Sequence, residues 1–107
     1  MDNPQDAAAH KIAGEAHIAR SEYQQAAECF QNAVALVPAD AEGWSRLGWI
    51  NSQLGDYQKA LKASKTAVEL DPENAVWSAH LGGLYGNMEE YGEAVRALQT
   101  EIGRAHV

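Results

Sequence analysis

Residues 41–72, AEGWSRLGWINSQLGDYQKALKASKTAVELDP, hold the pattern that decides the fold. Trp44, Leu47, Gly48 and Asn51 stand at i, i+3, i+4 and i+7, which is one face of a helix over about 41–54, with Asn51 its polar member. Gly55-Asp56 makes a turn, and Asp56 caps a second helix over about 57–70. Ala60, Leu61, Ser64, Ala67 and Val68 form the inward stripe of that helix. Gly48, Ala60 and Ala67 are small where the two helices meet, so the backbones can approach closely.

Outward from this stretch, the same residues recur at a step of 34. Pro4, Pro38 and Pro72 keep that step, as do Gly14, Gly48 and Gly82, and Tyr23, Tyr57 and Tyr91. Ala26, Ala60 and Ala94 keep it too, with Ala7, Ala41 and Ala75, and with Asp6, Asp40 and Asn74. The repeats are therefore 7–40, 41–74 and an incomplete 75–101. The prolines end the preceding helices, and Asp6, Asp40 and Asn74 cap the following ones. A mid-helix glycine costs roughly 1 kcal/mol against alanine, so three at one phase point to a packing need. The tyrosines open each second helix. One hairpin cannot cover its own apolar face, and stacking of neighbours makes the core.

Trp44, Leu47-Gly48, Gly55-Asp56-Tyr57, Ala60, Ala67 and Leu70-Asp71-Pro72 together resemble the tetratricopeptide repeat signature. The first repeat keeps Gly14, Tyr23, Ala26, Phe30, Ala33 and Pro38, with His10 and His17 in the tryptophan and tyrosine positions. The third keeps Leu81-Gly82, Tyr85, Tyr91, Ala94 and Leu98, with Trp77 one place early and Ser78 in the expected slot. The resemblance covers residues 7–101. It implies an all-α α-solenoid, a right-handed superhelical array of antiparallel helix pairs. Its first helices would line a concave groove for a peptide or a partner helix. In this chain the implied groove face is Lys11, Glu15 and Ile18, then Glu42, Ser45, Arg46, Trp49 and Ser52, then Val76, Ala79, His80, Gly83 and Asn87. Trp49, off the packing face, is the sharpest anchor, since tryptophan and arginine are enriched at binding hot spots. Packing of Trp49 on the neighbouring repeat is the competing expectation. One subclass of the family clamps the terminal carboxylate of heat-shock chaperones; only Lys11 matches its pattern, while Glu15, Arg46, Val76 and His80 fill the other slots.

The remaining features narrow the function by exclusion. The 107 residues suffice for one small domain, and 46% of them are apolar. A net charge of −7 leaves no basic stripe for nucleic acid or anionic membrane and mildly favours a basic or neutral partner. No run approaches the roughly 20 apolar residues of a membrane span. Cys29 is the only cysteine and the N-terminus is no signal peptide, so a cytoplasmic location is expected. Phosphate-loop and nucleophile-elbow motifs are lacking, and Gly82-Gly83-Leu84-Tyr85-Gly86 falls inside a helical repeat. Gly82 is the packing glycine there, while Gly83 and Gly86 face the groove. His10, His17 and Cys29 lack a fourth ligand and occupy packing positions. Glu22, Asp56 and Glu90 recur at the hairpin turns, where a helix start favours negative charge. No enzyme activity, cofactor or metal is expected.

Both ends break the pattern. Asp2-Asn3-Pro4-Gln5-Asp6 resembles Leu70-Asp71-Pro72-Glu73-Asn74 and reads as a leader or as the end of an upstream repeat. Glu101 stands where Ala33 and Ala67 do, and residues 102–107 abandon the repeat. That string resembles a translated sequencing adapter and is set aside as a non-native tail, the alternative being a natural frayed end. The C-terminal capping helix is missing, so Val95 and Leu98 are expected to expose an apolar strip that invites self-association. The leading expectation is a protein–protein interaction scaffold. The alternative is a docking or regulatory arm of a larger bacterial enzyme or assembly protein.

Overall fold

A computed structural model describes the backbone of residues 4–105 and the side chains of residues 6–97. The described chain is a series of helices: α1 Pro4–Ala19, α2 Tyr23–Leu36, α3 Ala41–Gln53, α4 Tyr57–Leu70 and α5 Ala75–Ala105. No strand occurs among the described residues. The all-α helical-repeat array expected from the sequence is present. The tail expected to be non-native, 102–107, lies outside the described side chains.

Local chemistry sets the helix starts. The Gly43 amide donates to Asp40 Oδ1 at 3.2 Å, the Lys59 amide to Asp56 Oδ1 at 3.3 Å, and the Val76 amide to Asn74 Oδ1 at 2.9 Å. The first repeat differs from expectation. Pro4 and Asp6 both lie inside α1, so Asp6 does not stand ahead of that helix as a cap.

Both complete hairpins turn in the same way. Ser21 has φ 59° and Gly55 φ 79°, both left-handed. The next amide reaches back over the turn, Glu22 to the His17 carbonyl at 2.8 Å and Asp56 to the Asn51 carbonyl at 2.9 Å. Behind the turns the helices close on the small residues. A Cβ at Gly14 would stand 2.5 Å from the Phe30 ring. A Cβ at Gly48 would run into Ser64 Oγ and lie 3.1 Å from the Ala60 carbonyl oxygen. The core is Ala26, Ala27, Phe30, Val34, Leu47, Ile50 and Ala63, drawn from α2, α3 and α4, and Phe30 and Ile50 are fully buried.

The third repeat does not form a hairpin. Residues 75–105 are one helix, so Glu90 and Tyr91 lie within α5 instead of at a turn and at a second helix's start. The expectation of a third helix pair is corrected on a physical ground. Glu89 holds the place of Ser21 and Gly55, and Met88-Glu89-Glu90 are strong helix formers with no preference for positive φ. Gly82 is corrected with it: a Cβ there would meet nothing within 4 Å, because no second helix lies against it. Helix α5 packs its first part on α4 and α3. Leu84 is buried, and the Tyr91 ring lies 5.3 Å from that of Tyr57. The 31 residues of α5 make a helix about 46 Å long.

Candidate binding face

Helices α1, α3 and α5 are the first helices of successive repeats, and α3 contributes to a recess on each side. Between α1 and α3 lies an open recess of about 590 Å³ bordered by Lys11, Ile12, Glu15, Asp40 and Glu42. Between α3 and α5 lies a smaller one of about 260 Å³, bordered by Trp49, Ala79, His80, Gly83 and Leu84, with Gly48 and Ser64 also on its wall.

Charged side chains tie α1 to α3. Lys11 Nζ donates to Asp40 Oδ2 at 2.9 Å and lies 3.3 Å from Glu42 Oε1. Partial burial pulls the Lys11 pKa down, but the hydrogen bond and charge of Asp40, then Glu42, outweigh it and hold the ammonium above its ordinary value. Arg46 grips Glu15 with two nitrogens, Nε to Oε1 at 2.7 Å and Nη2 to Oε2 at 3.0 Å. A serine–histidine pair ties α3 to α5: Ser45 Oγ, 2% exposed as a residue, is 3.0 Å from His80 Nδ1.

Of the thirteen residues expected on the face, Lys11, Glu15 and Glu42 border the first recess. Ser45, Trp49, Ser52, Ala79, His80, Gly83 and Asn87 border the second. Arg46 is the clamp on Glu15. Two stand apart: Ile18 is half-buried against the core, and Val76 is exposed but borders neither recess. Trp49 packs on the neighbouring repeat, as one of the two expectations had it. Its ring stands edge-on to Tyr23 with centroids 5.8 Å apart, yet the residue remains 38% exposed beside the second recess.

Ile12 and Ala8 were not anticipated. Ile12 is 72% exposed at the first recess, which Ala8 also borders. The signal was available: one repeat step carries Ile12 to Arg46 and His80, and Ala8 to Glu42 and Val76. Asp40 was read as a helix cap alone, and its second bond to Lys11 depends on how the repeats stack.

The other polar candidates are engaged structurally. His17 Nδ1 lies 3.1 Å from Glu22 Oε1 across the first turn. Trp44 Nε1 donates to the Pro38 carbonyl at 2.8 Å, and Trp77 Nε1 to Asp71 Oδ2 at 3.2 Å. Cys29 is half-buried, and burial, then the Glu28 charge, pushes its thiol pKa up, away from thiolate reactivity. Among the described residues no group of three or more histidine, cysteine or carboxylate side chains is placed to hold a metal ion. No helix among them is long and apolar enough to cross a membrane.

Comparison with known proteins places this geometry. The tetratricopeptide repeat family model matches residues 13–75. A search of curated proteins gave no significant match. Among solved structures, a crystal structure of MamA protein aligns with TM-score 0.73 at 26% identity, over 91% of this chain and 53% of that one. The Sgt2 TPR domain from Aspergillus fumigatus aligns with TM-score 0.74 at 27% identity, over 87% of this chain and 62% of that one. The second TPR of Spaghetti (RPAP3), bound to the HSP90 peptide SRMEEVD, aligns with TM-score 0.75 at 23% identity, over 92% and 91%, a likeness of fold. The chain thus spans between half and two thirds of the length of the MamA and Sgt2 structures it resembles.

Proposed function

The chain belongs to the tetratricopeptide repeat family, and from that premise we propose that it is a protein-interaction scaffold whose concave face, centred on Trp49, holds a peptide or a partner helix. The observation that carries this reading is the pair of recesses flanking α3, with a part-exposed tryptophan on the wall of the second. Tryptophan buries much apolar area at small entropy cost, which suits it as an anchor. The RPAP3 domain of similar fold is bound to a peptide, which agrees with a peptide-holding role here.

The test is positional. A photo-crosslinking amino acid is placed at His80 on this face or at Lys65, exposed on α4, and the purified chain is exposed to an extract of its source cell. Crosslinked protein is expected from position 80 and not from 65, and Trp49→Ala should abolish it. Equal crosslinking from both positions, or crosslinking indifferent to Trp49→Ala, would contradict the reading.

A second reading, a docking arm of a longer polypeptide, is favoured by the partial coverage of the MamA and Sgt2 structures. It shares the same face and differs in what the array is attached to.

A further inference from the structure

We infer that the face selects a neutral-to-basic segment that seats one apolar side chain in the α3–α5 recess, and that it does not take acidic or carboxylate-terminated peptides through Lys11 or Arg46. The inference rests on the binding-face reading above and adds the chemistry of the partner.

The first ground is that both cations of the face are already engaged. Lys11 is held by Asp40 and Glu42, and Arg46 is gripped by both oxygens of Glu15. These pairs join α1 to α3, so a ligand carboxylate approaching either cation meets a charge that a carboxylate of this chain already balances. It would also leave Glu15 or Asp40 beside a second negative charge. Like charges brought together at close range are disfavoured, the more so in a part-buried site. Three carboxylates and two cations share this part of the face, in a chain of net charge −7. Residues 75–88, which supply the α5 wall, contain no aspartate, glutamate, lysine or arginine. The field across the face therefore draws a positive partner and repels a negative one.

The second ground is the recess itself. Its volume of about 260 Å³ falls below the roughly 300–1,000 Å³ of small-molecule pockets and suits a single side chain. Ser45 Oγ and His80 Nδ1 engage each other, and Trp49, Gly48, Ala79, Gly83 and Leu84 give the recess apolar lining beside Ser52, Ser64 and Asn87. Glu42 is a further seven residues, or about 10 Å, along α3 from Trp49. Its side chain is 59% exposed and only loosely engaged by Lys11 at 3.3 Å. A ligand with a large apolar residue and a lysine or arginine about 10 Å away matches both features.

The experiment selects a random dodecapeptide display library on the intact chain and remeasures the winners on three variants. Gly83→Leu plugs the recess. A Cβ at Gly83 meets nothing within 4 Å, and leucine is the better helix former, so this variant keeps its fold. Winners are expected to carry net positive charge and a large apolar residue, and to bind Gly83→Leu about tenfold more weakly or worse. Glu42→Lys should weaken them several-fold. Acidic winners that depend on Trp49 would overturn this inference while leaving the binding face standing. Winners indifferent to Trp49→Ala and Gly83→Leu would overturn the binding face and this inference with it.

Discussion

The α3–α4 hairpin and helix α5 share much of their sequence pattern and fold differently. Each has a glycine on its first half, Gly48 or Gly82, and a tyrosine and an alanine one repeat step apart, Tyr57 and Ala60 against Tyr91 and Ala94. In the hairpin Gly48 lies against Ser64 and the Ala60 carbonyl; on α5 Gly82 faces open space. The residues that differ are at the turn. Gly55 adopts φ 79°, while Glu89 continues a helix. Packing positions alone therefore do not make the hairpin. The chain must also be able to leave the helix at one residue, and glutamate offers no inducement to do so.

The comparison can be broken at several points. The largest effect should come from the core the hairpins share. Phe30 is fully buried and fills the space left by Gly14, so Phe30→Ala should cost about 3–5 kcal/mol in urea unfolding. A loss below about 1 kcal/mol would show that the hairpins do not depend on that fit. Next, Gly48→Ala should destabilise by about 1–3 kcal/mol, because the new Cβ meets backbone atoms of α4 as well as Ser64. The same change at Gly82 should have the opposite sign, a gain of up to about 1 kcal/mol from helix propensity with no clash. Equal effects at the two glycines would mean that Gly82 is packed after all.

The smallest effect concerns the tie between repeats. Lys11→Met should cost about 0.5–1 kcal/mol at neutral pH. Because the folded state raises the Lys11 pKa above 10.5, its contribution is whole below the unfolded value of about 10.4 and is lost as pH rises through the folded pKa. The gap between wild type and Lys11→Met should therefore be constant from pH 6 to 9 and shrink as the pH rises past the unfolded value of about 10.4. A gap that narrows between pH 6 and 9 would assign the effect to another group.

Much of this was legible in the sequence for identifiable reasons. Helix α4 was expected over about 57–70 and spans Tyr57–Leu70, because Asp56 caps it and Asp71-Pro72 ends it. The glycine column was read as a packing need, and at Gly14 and Gly48 the structure supplies the opposing atoms. The third turn was misread because periodicity shows which residues recur but not whether one substitution removes the turn. Glu90 and Tyr91 keep their columns, and the run of helix formers Met88-Glu89-Glu90 across the turn carried the contrary signal. On the binding face, residue types were visible but pairings were not. Nothing local couples Arg46 to Glu15 or Lys11 to Asp40, which lie far apart in sequence and meet only when α1 and α3 stack. Ile18 was placed on the face by phase and is instead drawn toward the core.

Residues 75–105 form one rod, whereas residues 41–70 form a hairpin. Spin labels on Ser78→Cys and Ala97→Cys, both exposed positions, in a Cys29→Ser background, measure this by electron–electron dipolar spectroscopy. A continuous helix predicts backbone positions about 28 Å apart. A hairpin would bring them to about 10 Å, the spacing of packed helices, and that result would contradict the account.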